Sequence, residues 1–117
     1  MENNLKSLIL PVFYCVLVTI ISIWDFDSSN LPSQYISDKL AHSVIYLIFV
    51  LIWYKPLYMV YNKSLLFIVL LSFLFGLILE LIQSNLSYRS FEIYDLIFNL
   101  IGSLLGYFIL LITARRH

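Results

Sequence analysis

Eight polar residues stand at helical intervals in a chain that is otherwise strongly apolar: Asp38, Lys39, His42, Glu80, Gln83, Arg89, Asp95 and Asn99. Residues three or four apart share one face of a helix. Asp38, His42 and Tyr46 therefore stack, as do Gly76, Glu80 and Gln83, and Asp95 and Asn99 continue into Gly102 and Gly106. His42 with Glu80 or Asp95 has the composition of a general acid–base set. The other members offer donors and acceptors suited to a charged headgroup. Arg89 adds a planar fork that grips an oxyanion through two hydrogen bonds, near the positive end of the helix that follows it. No nucleophile stands out, since Ser43 and Ser90 lack any elbow or triad context. A closed zinc site needs several Cys or His ligands. This chain has Cys15 alone and two histidines, one of them the last residue, His117, so neither a metal nor a cofactor is expected.

The elements that must position these groups follow from composition. Of 117 residues, 62% are hydrophobic and 12% charged, with a mean hydropathy of +0.93. Soluble domains are about 45–50% apolar and about 25% charged. Four membrane spans of about 20 residues would use about 80 positions, which leaves room for short tails and three connections. The expectation is one all-α membrane domain over residues 1–117, a four-helix bundle with helices near 5–24, 38–54, 64–83 and 92–113. The first apolar run is read as a retained helix, because no A-x-A-like cleavage site follows it and three further runs do. The second is expected to stop at Lys55-Pro56, where proline disfavours further helix. Seven Lys/Arg balance seven Asp/Glu, so the basic footprint of a nucleic-acid binder is missing.

Lysine and arginine counts set the orientation. Lys6, Lys55, Lys63, Arg115 and Arg116 fall on one side and Lys39 and Arg89 on the other, which puts both termini in the cytoplasm. The polar residues of helices two, three and four then gather within two or three turns of the extracytoplasmic boundary. Each has a plainer reading. Glu80 would serve as an interfacial residue facing water, Asp38-Lys39 as a solvated helix start, Asp95 as a first-turn complement to the helix dipole, and Asn99 as a bond between helices. Convergence of three helices on one leaflet favours a shared site. Gly102-x-x-x-Gly106 is a close-packing motif of membrane helices.

In order and spacing, Asp38-Lys39-x-x-His42-x-x-x-Tyr46, Gly76-x-x-x-Glu80-x-x-Gln83 and Arg89-Ser90-x-x-x-x-Asp95-x-x-x-Asn99-x-x-Gly102-x-x-x-Gly106 resemble the VanZ-like family of bacterial membrane proteins. The likeness covers about 70 residues, from the second helix to the fourth. It implies a multi-pass protein of the bacterial cytoplasmic (inner) membrane. It also implies that family's association with low-level resistance to teicoplanin, a lipid-bearing glycopeptide. The family carries no established biochemical activity, and this chain is a minimal form of it.

Three functions fit the residues. The first is an outer-leaflet site for an amphiphile headgroup: a lipid, a lipid-linked wall precursor or a lipoglycopeptide. The second is an enzyme acting on a lipid headgroup with His42, Glu80 and Asp95 as acid–base residues. The third, a small proton-coupled exporter, is disfavoured, because a transport carboxylate belongs near the midplane and Glu80 lies near a helix end. The expected partner is a membrane lipid or lipid-linked headgroup, with a second copy or another membrane protein as a further candidate.

Overall fold

A computed structural model describes residues 5–23, 32–85 and 93–114. The described residues form helices α1 (Ile9–Ile23), α2 (Pro32–Trp53), α3 (Leu65–Ser84) and α4 (Ile93–Ala114), with a π-helical segment, Tyr54–Val60, continuing α2. Three stretches are long and apolar enough to cross a membrane: Lys39–Val60, Leu65–Ser84 and Ile93–Thr113. α1 has 15 described residues, all within the first expected span near 5–24.

The second helix departs from expectation at both ends. It begins at Pro32, six residues before the expected start at 38, because proline's fixed φ and missing N–H suit a first helical position. It also runs past Lys55-Pro56. A proline ring clashes with the carbonyl four residues back, and here the backbone widens to π spacing instead of breaking, with Tyr61 N–H donating to Pro56 O at 2.9 Å. The segment closes at Asn62, whose φ of 60° is left-handed, while Lys63 N–H reaches back to Leu57 O at 2.7 Å. Asparagine is a common residue for such a helix end. α3 starts on Ser64, whose hydroxyl accepts from Phe67 N–H at 3.1 Å, an N-cap of the usual kind.

The distribution of side chains is inside-out compared with a soluble bundle. On α3, Leu66, Leu70, Leu74 and Ile78 face outward, whereas Ser72, Gly76, Glu80 and Gln83 are buried. On α4, Ile97, Ile101, Leu105, Phe108 and Ile112 are exposed while Asp95, Asn99 and Ser103 are buried. In hydrocarbon, apolar surface gains nothing by turning inward, so close packing and polar bonds must join the helices.

α2 and α4 run parallel and pack more extensively than any other pair. A Cβ on Gly102 would lie 2.0 Å from the Ser43 carbonyl oxygen, and one on Gly106 would lie 3.0 Å from Val50 Cβ and 3.1 Å from Leu47 O. The two backbones therefore touch, as the small-residue motif requires. α3 runs antiparallel to both, joined to α4 by a 2.6 Å bond between the fully buried Ser72 and Ser103 hydroxyls. Tyr46, Phe49 and Phe75 fill the α2–α3 seam, with ring centroids 5.3–6.3 Å apart.

Candidate functional site

Lys39 lies two turns into α2 and Asp95 in the first turn of α4, and the parallel packing of these helices brings the two together. The Lys39 ammonium donates to Asp95 Oδ1, with side-chain exposures of 4% and 11%. The reading of Lys39 as part of a solvated helix start is thereby overturned. Burying a lone ammonium in an apolar bundle costs several kcal/mol, and the Asp95 carboxylate offsets that cost.

One turn further along α2, His42 faces the same partners. Its Nδ1 is 3.0 Å from Asn99 Oδ1, and its Nε2 is 3.7 Å from Asp95 Oδ2. Asp95 thus presents one oxygen to Lys39 and the other towards His42. At 20% side-chain exposure, His42 is more open than either member of the ion pair. Ser43 Oγ donates to the Phe98 carbonyl at 3.1 Å, fastening α2 to α4 directly beneath.

α3 contributes Gly76, Glu80 and Gln83, all buried. A Cβ on Gly76 would meet Asn99 Nδ2 at 2.7 Å and the Tyr46 ring at 3.2 Å, so this glycine opens the space in which Asn99 can reach His42. Glu80 is 2% exposed. Gln83 Nε2 donates to Ser22 O of α1 at 2.6 Å, so its carboxamide is turned towards α1.

The structure therefore joins Lys39, His42, Asp95 and Asn99 by direct contact and buries Glu80 and Gln83 on the facing helix. Asp38 lies on the α2 backbone with its side chain outside the described residues, and Arg89 lies outside them altogether. Among the described residues no three His, Cys, Asp or Glu side chains gather into a group able to hold a metal ion.

Sequence reasoning missed the serines. Ser103 donates to Asn99 O at 2.9 Å and pairs with Ser72, extending the buried polar layer one turn deeper. The signal was present: Ser103 follows Asn99 by four residues and Ser72 precedes Gly76 by four, so both continue stripes already marked.

The chemistry available is that of a neutralised charge cluster with one partly open imidazole. It can donate and accept hydrogen bonds at one end of three apolar helices.

No curated protein and no solved structure matches the chain. The VanZ/LLP1 family profile matches residues 6–114, which takes in α1 as well as the three motif-bearing helices. The chain belongs to the VanZ/LLP1 family.

Proposed function

We propose that this protein binds the polar headgroup of an amphiphile at the extracytoplasmic face of the bacterial cytoplasmic membrane, with both termini in the cytoplasm. The observation that carries the reading is the buried Lys39–Asp95 pair with His42 beside it, at one end of the bundle. Intramembrane ionisable groups are costly and usually mark a site. The ion pair holds the frame, and His42 is the member open enough to meet a ligand. Glu80, Gln83, Asn99, Asp38 and Arg89 complete the proposed contact set, with Arg89 as the anchor for a headgroup phosphate or carboxylate. A lipid, a lipid-linked wall precursor and a lipoglycopeptide of the teicoplanin type share this amphiphilic chemistry.

Native mass spectrometry of the gently extracted protein tests the reading. One headgroup class should be retained above its share of the membrane, and His42→Ala should lower that retention. Co-purified lipid that mirrors the bulk membrane in both proteins would overturn it.

A second reading, an enzyme on a lipid headgroup, is favoured by the flanking of His42. His42 Nδ1 lies 3.0 Å from Asn99 Oδ1 and Nε2 lies 3.7 Å from Asp95 Oδ2, so the ring is held between an amide and a carboxylate, the positioning that a general base needs. Turnover of a headgroup-labelled lipid, lost in His42→Gln, separates this reading from simple binding.

A further inference from the structure

We propose that α1 is the movable wall of the polar site and that the Gln83–Ser22 hydrogen bond is its latch. The inference rests on the headgroup reading above and adds the route by which an amphiphile would enter, sideways from the bilayer.

The first support is the contrast in how the helices are joined. α2 and α4 meet through backbone contacts at Gly102 and Gly106, α3 packs its Gly76 against Asn99 and Tyr46, and the Ser72–Ser103 bond joins α3 to α4. α1 contains no glycine and buries only Pro11 and Val18. Ile9, Leu10, Val12, Phe13, Val16, Leu17, Ile20, Ile21 and Ile23 all remain exposed. Lipid solvates those side chains as well as protein does, so no hydrophobic force presses α1 onto the bundle.

The second support is the seam itself. Between one face of α1 (Val12, Cys15, Val16, Thr19 and Ile20) and Trp53 of α2 lies an open apolar groove of about 270 Å³. Along this groove α1 and α2 do not meet flush, and lipid can fill the space between them as well as a side chain would.

The third support lies in two of the polar ties of α1. Tyr14 OH donates to Ile45 O on α2, and Gln83 Nε2 donates to Ser22 O at 2.6 Å. Ser22 lies near the end of the described part of α1, so Gln83 holds that end of the helix against α3. Gln83 is also one turn from Glu80 on the same buried face of α3. This tie of α1 thus belongs to the wall of the polar cluster, and a ligand atom that drew the Gln83 carboxamide inward would loosen α1 at its Ser22 end.

Electron-paramagnetic distance measurements in lipid nanodiscs test the latch, with Cys15→Ser removing the native thiol. One spin-label pair sits at the lipid-facing positions 17 on α1 and 78 on α3; a control pair sits at 74 on α3 and 105 on α4. Gln83→Leu should lengthen or broaden the α1–α3 distances, adding Tyr14→Phe should extend the change, and the α3–α4 pair should stay fixed. Unchanged α1–α3 distances in both variants would overturn the proposal, as would equal broadening of the control pair, since that would make Gln83 a general bundle residue. Lipid retention is read separately. Moved α1 without headgroup selectivity sinks the binding reading and leaves the latch standing. Selective retention with α1 unmoved sinks the latch alone.

Discussion

Lys39 and Asp95, 56 residues apart in the chain, share a buried ion pair between two parallel helices. Removing one partner of such a pair strands the other charge and costs about 3–5 kcal/mol, whereas replacing both by apolar residues is often neutral. Lys39→Met and Asp95→Leu should each destabilise the protein by about that amount in detergent, and the double variant should recover much of the loss. Chemical denaturation of the four proteins gives the coupling directly. Additive losses would mean that the pair contributes no mutual stabilisation.

The glycines should differ in what they disturb. A Cβ at Gly102 meets backbone that cannot yield without moving a helix, whereas at Gly76 it meets the ends of the Asn99 and Tyr46 side chains. Gly102→Ala should therefore cost about 1–3 kcal/mol or more, in the range of overpacked cores, and Gly102→Leu with Gly106→Leu still more. Gly76→Ala should be milder in thermal unfolding, yet it should displace Asn99 from His42 and weaken ligand retention. Equal stability losses for Gly76→Ala and Gly102→Ala would contradict this ordering.

Orientation is open to direct test. Single cysteines placed at Ser29 and Asn85, in a Cys15→Ser background, should react with an impermeant thiol reagent on intact cells, and one at Asn62 should not. Asn85 and Asn62 are exposed and lie at opposite ends of α3, so this pair alone reports which end faces outward. Labelling at Asn62 with protection of the other two would invert the topology.

Arg89 is the only arginine outside the carboxy-terminal pair. A planar guanidinium binds a phosphate or carboxylate through two parallel hydrogen bonds, which an ammonium cannot do. Arg89→Lys should keep fold and topology while lowering headgroup retention severalfold. Full retention in the lysine variant would reduce Arg89 to a generic outer-face cation.

Much of this architecture was legible in the sequence because membrane helices announce themselves by length and polarity. Residues 64–83 match α3 to within a residue, since polar residues end that apolar run, and the described α4 overlaps the expected fourth span. The start of α2 was hidden in Pro32-Ser33-Gln34, where a polar composition reads as loop although proline suits a first helical turn. Its end was hidden by Pro56, because sequence shows that a proline disrupts regular helix but not that a wider turn can absorb it. In the site, spacing placed His42, Asp95 and Asn99 on inward stripes. It could not show that Lys39 is buried, because the partner that permits its burial is on another helix. The serine bond between α3 and α4 escaped for the same reason: each hydroxyl alone is unremarkable, and only their pairing gives them meaning.

The parallel contact between α2 and α4 has a consequence for the order of assembly. α2 precedes α4 in the chain, so Lys39 emerges from the ribosome ahead of Asp95, the partner 56 residues on that neutralises it in the folded bundle. Nor can Ser43 find the glycine surface of Gly102 until the last helix is made. The α2–α3 hairpin is thus a waiting state, apolar enough to insert but short of its charge partner and its closest packing surface. The final helix does more than extend the bundle: it brings the charge partner of Lys39 and the glycine surface on which Ser43 packs.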